Sequence, residues 1–148
     1  MPDLQLDLTL RSIAPEAAAP LLAACELPID DLGDPALDLV GAFAGDELLG
    51  VIGLQRCAGD VGLLRSLAVH PAARARGIAG VLCAEVIARA RRAELRSLYL
   101  LTTSAADYFP RHGFARIDRA AAPAAIQATA QFTSLCPASA VVMRGDLA

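Results

Sequence analysis

Hydrophobic and polar residues are spaced along the chain with the periods of strands and helices in turn. Residues 4–10 alternate apolar and polar positions, as a half-buried strand does. The alanine- and leucine-rich segment 14–27 predicts a helix, in which Pro15 suits the first turn and Pro20 predicts a bend. Residues 28–35 are polar and turn-rich, so they predict a loop that faces solvent or a ligand.

The middle of the chain predicts three consecutive antiparallel strands and a long helix. The polar turn at 45–47 separates two apolar runs and predicts a hairpin. A second turn at 58–60 leads into a third strand at 61–69, which a basic turn follows. Residues 77–92 then have the period of an amphipathic helix. Its apolar face carries Leu82, Val86, Ile87 and Ala90, and its polar face carries Glu85, Arg89 and Arg92.

The last third of the chain predicts shorter elements. Residues 95–103 are apolar enough for a strand that is buried on both faces. A short helix is expected from Ser104, as its N-cap, to Gly113. The segment 114–131 holds the start of a strand and a proline-alanine turn. A final strand is predicted at 132–143, interrupted near its proline.

The order of these elements and the composition predict one mixed α/β domain over residues 1–148. The 55% of hydrophobic residues supply a core, and a net charge of −3 lacks the clustered basic excess of a typical nucleic-acid-binding protein. The N-terminus does not resemble a signal peptide and no segment is apolar enough to span a membrane, so we expect a cytoplasmic protein. Four scattered cysteines without CxxC spacing predict reduced, buried thiols, and we expect no metal site.

The basic turn after the third strand has the features of an anion site. It contains Arg74, Arg76, Gly77 and Gly80. At a helix start the first N–H groups have no partner in the helix and the dipole is positive, and a glycine allows a ligand close to the backbone. These features predict a phosphate or pyrophosphate site. An ordinary turn with solvated arginines is the alternative.

Two motifs give this turn a wider context. The first, Q/R-x-x-G-x-G/A, falls on Arg74, Gly77 and Ala79, and the second, A-x-x-x-F-x-x-x-G-F, runs from Ala105 to Phe114. In these motifs, and in their order, the chain resembles the GNAT superfamily of N-acetyltransferases over roughly residues 5–118. The resemblance implies an α/β domain with a central, mostly antiparallel sheet flanked by helices. It also implies acetyl-CoA as the cofactor.

The resemblance further implies where acetyl-CoA lies. The pyrophosphate is expected on the N–H groups of residues 74–80, and the pantetheine arm on the backbone edge of the strand at 61–69. A splay between this strand and the next would admit the arm, with the thioester near Thr102 and Tyr108. The cofactor-binding residues implied are Leu67, Ala68, Val69, Arg74, Ala75, Arg76, Gly77, Ile78, Ala79, Gly80 and Phe109.

Acetyl transfer to an amine requires a neutral amine and a proton for the leaving thiolate. The superfamily usually has a tyrosine at the place of Phe109, so the adjacent Tyr108 becomes a candidate acid, although it points about 100° away along a helix. Tyr108 as a packing residue is the alternative, and Thr102 is the second catalytic candidate. The base is unassigned: it is water or one of the acids Asp30, Asp31 and Asp34.

Arg65 is a candidate for reading the acetyl acceptor. If Leu67 and Val69 point to the core, strand alternation directs Arg65 there too, unless a bulge intervenes. A buried arginine needs an anionic partner, which is either an internal acid or an acid group of the acceptor. Further candidates for the acceptor pocket are Arg119, Ser134 and Cys136, and the histidines His70 and His112 are expected to be solvated or to cap turns.

The C-terminal pattern F-x-x-LCP-x-SA, from Phe132 to Ala140, is similar to a GNAT branch associated with arsenic-resistance gene clusters. The resulting hypothesis is acetyl-CoA-dependent N-acetylation of a small amine, linked to arsenic or xenobiotic resistance. Two alternatives remain: a non-catalytic acyl-CoA-binding regulatory module, and acetylation of a protein terminus. No membrane or nucleic-acid partner is expected, and a homodimer stays open.

Overall fold

The computed structural model describes residues 7–135 and 139–147. The strands are β1 (Thr9–Ser12), β2 (Leu37–Ala44), β3 (Glu47–Cys57), β4 (Val61–Val69), β5 (Ser97–Thr102), β6 (Phe114–Ile117) and β7 (Val141–Asp146). They form one seven-stranded sheet of order β1-β2-β3-β4-β5-β7-β6. Neighbours are antiparallel except β4 and β5, which are parallel. The predicted mixed, mostly antiparallel sheet is confirmed.

Helices connect and flank these strands. They are α1 (Pro15–Ala24), α2 (Ile78–Arg92) and α3 (Ala124–Gln127). Single 3₁₀ turns occupy Pro71–Ala73, Phe109–His112 and Arg119–Ala121, and a π-helical turn occupies Gln131–Leu135. Within the described ranges, no helix has both the length and the apolar character needed to cross a membrane.

Two predicted element starts differ from the structure. The first strand, predicted at 4–10, is observed at Thr9–Ser12, and residues 1–6 lie outside the described part of the chain. Ser104 as a helix N-cap is wrong. The hydroxyl of Thr102 instead accepts hydrogen bonds from the amides of Ser104 and Ala105, at 3.3 and 2.9 Å. This side-chain turn delays the helical turn to Phe109.

The predicted final strand at 132–143 is wrong over residues 132–135, which are helical, and β7 begins at Val141. Local side-chain hydrogen bonds hold this helical turn. The hydroxyl of Thr129 accepts from the amide of Phe132 at 3.3 Å, and the hydroxyl of Thr133 donates to the carbonyl of Thr129 at 3.0 Å. Such bonds offer the backbone an alternative to a strand ladder, which the apolar pattern alone does not reveal.

The core lies on both faces of the sheet. The predicted apolar face of α2 packs on one side, where Leu82, Val86 and Ala90 are fully buried against strand residues such as Ile52. On the other side, α1 covers Val51 and its neighbours. A third cluster lies beneath α3 and includes Leu63, Tyr99 and Val142. The helices thereby fix β4 and β5 in the middle of the molecule.

A bulge in β4 changes the direction of its side chains. Opposite Ile52, β4 places two residues, Ser66 and Leu67, in place of one, and Ser66 has a positive φ of 59°. Because the bulge reverses the alternation, Leu67 and Val69 contact the core beneath α2, whereas Arg65 faces the other side. The sequence interpretation made Arg65 share a face with these residues unless a bulge intervened, and the bulge does intervene.

The strands β4 and β5 separate as they run toward their C-terminal ends. Their parallel pairing extends over Val61–Leu63 on β4 and Ser97–Tyr99 on β5. Within the described residues, the remaining halves of the two strands share no ladder, although β4 continues to Val69 and β5 to Thr102. The predicted splay is therefore present, and it opens a cleft at the centre of the sheet.

Candidate active site

The cleft between β4 and β5 leads into a cavity of about 570 Å³. Residues 64–67 of β4 and 100–105 at the end of β5 form two of its walls. The loop after α1 supplies a third wall, with Glu26, Leu27, Pro28 and Asp30. Phe109, Gln131 and Ala140 complete the lining. The cavity thus takes residues from four parts of the chain that are distant in sequence.

The basic turn presents its backbone to solvent beside this cleft. Ala75 and Gly77 both have left-handed φ angles, of 66° and 80°, and residues 74–77 are exposed. The amide of Val81 makes the first bond of the α2 ladder, to the carbonyl of Gly77 at 3.2 Å. The amides of residues 78–80 precede this bond, so they have no partner in the helix. A Cβ placed on Gly77 would have no atom within 4 Å, which leaves the space above the turn open.

A left-handed alanine is unfavourable by about 1–2 kcal/mol, and such strain persists where the surroundings require the conformation. Left-handed residues of this kind occur in anion-binding turns, and Ala75 has this conformation between Arg74 and Arg76. The two arginines of the turn differ. Arg74 folds back, donating from Nε to the carbonyl of Val69 at 3.2 Å and from Nη2 toward the sulfur of Cys25 at 3.7 Å. Arg76 is exposed, so it is the arginine that can meet an anion directly.

Phe109 and Tyr108 lie on different sides of the 3₁₀ turn. Phe109 is 5% exposed and lines the cavity, with its ring edge-on to Phe114. Tyr108 is not among the described residues that line the cavity. Its hydroxyl lies 2.9 Å from Nε2 of His112 and near the start of α2, where a Cβ on Gly80 would be 3.9 Å from it.

The surroundings of the Tyr108–His112 pair favour the uncharged form of both groups. Burial raises the pKa of the Tyr108 phenol, the Cys83 thiol raises it further, and Arg111 opposes the rise. Burial also lowers the pKa of His112, and Arg111 lowers it further. His112 is therefore paired, and the expectation that it is solvated or caps a turn is wrong. His70 does cap a turn, as Nδ1 accepts from the amide of Ala72 at 3.1 Å.

Arg65 is buried, with its side chain 1% exposed, and its partner is an internal acid. Two of its nitrogens donate to the two carboxylate oxygens of Asp31, each at 2.5 Å. It also donates to Oε1 of Gln55 and to the hydroxyl of Ser66, both at 3.1 Å. This is one of the two alternatives that the sequence left open. A direct role in reading the acceptor stays a prediction.

The other candidate residues are placed as follows. Arg119 donates to the carbonyl of Phe132 at 3.1 Å and to that of Ala140 at 3.5 Å, and its guanidinium lies 4.4 Å from the ring centroid of Phe132. It therefore ties together both ends of the segment before β7. The side chain of Ser134 and all of Cys136 lie outside the described residues.

The three aspartates considered as bases differ in their contacts. Asp31 is held by Arg65, and Asp34 accepts from the amide of Ala36 at 2.8 Å. Asp30 lines the cavity. Two further cavity residues were missed from the sequence. Glu26 follows α1 at a φ of 61°, and Gln131, 6% exposed, begins the π-helical turn; neither belongs to a motif that could have identified it.

Solved structures share this architecture along nearly the whole chain. An acetyltransferase of the GNAT family from Staphylococcus aureus has 18% identity and a TM-score of 0.77, with 95% of this chain and 99% of that chain covered. A Mycobacterium tuberculosis protein in complex with CoA and NLQ has 20% identity and a TM-score of 0.76, with 95% and 99% covered. At these identities the likeness establishes the fold.

N-acetylglutamate synthase from Neisseria gonorrhoeae, complexed with coenzyme A and N-acetyl-glutamate, has 19% identity and a TM-score of 0.80. The match covers 98% of this chain and 36% of that larger chain. No curated protein matches the sequence significantly. The model of the acetyltransferase (GNAT) family matches residues 7–114, which is well over half of the chain. The chain therefore belongs to the acetyltransferase (GNAT) family.

Proposed function

We propose that the protein transfers the acetyl group of acetyl-CoA to the amine of a small molecule. The observation that carries this proposal is the cleft between β4 and β5, which has an exposed amide turn beside it and a cavity at its base. A cofactor with an anionic end and a long thin arm fits such a site, because the turn suits pyrophosphate and the cleft suits the arm. The solved structures of relatives with bound CoA support the same cofactor.

The residues available to hold the cofactor follow from their positions. The amides of residues 74–80 and the charge of Arg76 would bind the pyrophosphate. Residues 67–69 of β4 present a strand edge toward β5 that can pair with an extended ligand, and Phe109 offers an apolar wall. When bound, acetyl-CoA supplies an activated acyl group as a thioester.

Proton transfer at the site is proposed to use water. The attacking amine must be neutral, and we propose that water removes its proton, since Asp31 is held by Arg65 and Asp34 by the amide of Ala36. For the leaving thiolate, Tyr108 is the phenol nearest to the site, yet its hydroxyl is bonded to His112. We therefore propose water as the principal proton donor. Thr102 shapes the end of β5 by accepting two backbone hydrogen bonds.

This function is tested by two measurements on the purified protein. Coenzyme A should raise the melting temperature through linkage, and acetyl-CoA with a panel of small amines should release free thiol at a rate that depends on the amine. Stabilisation by coenzyme A without thiol release from any amine would contradict the enzymatic proposal. Failure of both measurements would contradict the cofactor assignment as well.

A second candidate function is a non-catalytic acyl-CoA-binding module. One observation favours it: Phe109 occupies the wall position beside the cavity, and the neighbouring phenol is turned away to His112. The arsenic connection is a finer proposal, supported by the sequence pattern from Phe132 to Ala140 alone. Amine-bearing organoarsenicals in the acceptor panel test it, and turnover no better than with their arsenic-free analogues would contradict it.

A further inference from the structure

We infer that the acceptor is a cation with at least two amino groups and no carboxylate, and that Glu26 and Asp30 bind its second ammonium group. The inference rests on the proposed function and names the substrate class of the same site. It departs from the expectation that Arg65 or Arg119 reads an acidic group on the acceptor. It depends on how the charged residues around the cavity are paired.

Three described cavity residues carry formal charges: Glu26, Asp30 and Arg65. The charge of Arg65 is already neutralised by Asp31, which lies in the same loop as the two free acids. Within residues 7–135 and 139–147, no ion pair is formed by Glu26 or Asp30, and both are accessible to solvent. Residues 136–138 are of uncharged types. Among the described residues, the cavity therefore presents two carboxylates that form no ion pair, and its one arginine is already paired.

Both arginines are engaged by groups of the protein, with which an acceptor carboxylate would have to compete. Arg65 makes a two-pronged pair with Asp31, and moving it to a ligand would leave that carboxylate without its counter-ion near the protein interior. Arg119 is committed to the carbonyls of Phe132 and Ala140 and to an aromatic ring. Arg119 also does not line the cavity.

A diamine fits this arrangement because its two nitrogens can have different protonation states. One ammonium can be bound by the carboxylates of Glu26 and Asp30, while the other amine loses its proton and attacks. An amino acid of the same length would instead place its own carboxylate in a partly enclosed, negatively charged site. Charge-assisted contacts of this kind correspond to about ten- to hundredfold in selectivity.

The test uses pairs of amines that differ only by a carboxylate: cadaverine against lysine, and agmatine against arginine. For the wild-type protein we expect kcat/KM to be at least about tenfold higher for the member without the carboxylate. Pentylamine, which has the same carbon chain as cadaverine but one amine, measures the contribution of the second ammonium. A preference for lysine or arginine would overturn the inference.

Variants then test the two residues. E26Q and D30N should each raise the KM for cadaverine about tenfold and leave the KM for pentylamine nearly unchanged, because pentylamine has no second ammonium. D46N is the matched control, since Asp46 is an exposed acid in the turn between β2 and β3 and should change neither constant. An equal effect of E26Q or D30N on both amines would contradict the assignment.

A second readout separates this inference from the proposed function. Isothermal titration calorimetry of cadaverine and lysine into the protein saturated with coenzyme A measures acceptor binding without turnover. We expect cadaverine to bind at least tenfold more tightly than lysine, with the difference reduced in D30N. If no amine is acetylated but this preference holds, the proposed function fails and the inference on the site stands. If thiol is released and lysine binds as well as cadaverine, the inference alone fails.

Discussion

The guanidinium of Arg65 holds both carboxylate oxygens of Asp31 at 2.5 Å and thereby joins β4, at its bulge, to the loop that forms one wall of the cavity. The same loop carries Glu26 and Asp30, so this ion pair fixes the acceptor side of the cleft. Gln55 and Ser66 each accept one further hydrogen bond from the guanidinium. A buried charge held by several partners at once is sensitive to the loss of any one of them.

The first prediction concerns this pair. Arg65→Lys replaces the planar guanidinium by a single ammonium group. The ammonium cannot bind both oxygens of Asp31 and also donate to Gln55. D31N leaves the guanidinium buried without a counter-ion and should destabilise the protein by about 3–5 kcal/mol. Both variants should lower the melting temperature in thermal or denaturant unfolding. Arg144→Lys is the control, because Arg144 and Asp146 form an exposed ion pair whose change should alter stability by less than about 1 kcal/mol.

The kinetics and stability of R65K also show whether Arg65 binds an acidic group of the acceptor. If it does, R65K raises the acceptor KM strongly while the melting temperature stays normal. If the ion pair with Asp31 is its whole role, R65K lowers stability, and the acceptor KM changes only where the cavity wall has loosened. A stable R65K protein with a high acceptor KM and normal coenzyme A affinity would contradict the structural role.

The second prediction concerns the glycine turn. Gly77→Glu places a side chain and a negative charge where the pyrophosphate is proposed to lie, so coenzyme A should no longer raise the melting temperature. Gly59→Glu is a matched control. Gly59 also has a positive φ, of 83°, and open space around its Cβ position, but it lies at the opposite end of β4. Both variants should lose similar stability from the left-handed conformation, about 1 kcal/mol. A normal thermal shift in G77E would contradict the cofactor site.

The third prediction concerns the proton donor. Because the hydroxyl of Tyr108 is bonded to His112 and does not line the cavity, Tyr108→Phe should lower kcat by less than about tenfold. A general acid contributes roughly 10²–10⁴-fold, so a loss in that range would show that Tyr108 protonates the thiolate. Steady-state kinetics at saturating acetyl-CoA makes the measurement, and the melting temperature of the variant controls for lost packing.

The central elements were predictable because their signals are local. The apolar run of β4, the glycine turn and the amphipathic α2 are adjacent in sequence, and each follows from periodicity or turn chemistry. The bulge was not predictable in the same way. Ser66 is not a glycine, yet it has a left-handed φ at the point where the register between β3 and β4 shifts. The face of the sheet to which Arg65 points therefore depends on this bulge, which the sequence alone does not predict.

The acceptor wall illustrates the same limit. The sequence alone does not distinguish Asp30, Asp31 and Asp34. In the structure, Asp30 lines the cavity, Asp31 pairs with Arg65, and Asp34 accepts a backbone hydrogen bond within the loop. The segment before β7 misled the prediction because its apolar residues suit a strand. In the structure, the amide of Phe132 donates a hydrogen bond to the hydroxyl of Thr129, and the carbonyl of Phe132 accepts one from Arg119, which lies more than ten residues earlier in the sequence.

The last prediction concerns the pH dependence of stability. The pKa of His112 is lowered in the folded protein, so over the range between its ordinary value near 6.5 and the lowered value the unfolded chain binds more protons than the folded one. The free energy of unfolding should therefore have its full value above the ordinary pKa of histidine, and it should decrease as the pH falls through this range. H112Q should flatten this part of the profile. Denaturant unfolding between pH 7.5 and pH 5.5 measures this slope, and an identical slope in H112Q and the wild-type protein would show that burial and Arg111 do not lower the pKa of His112.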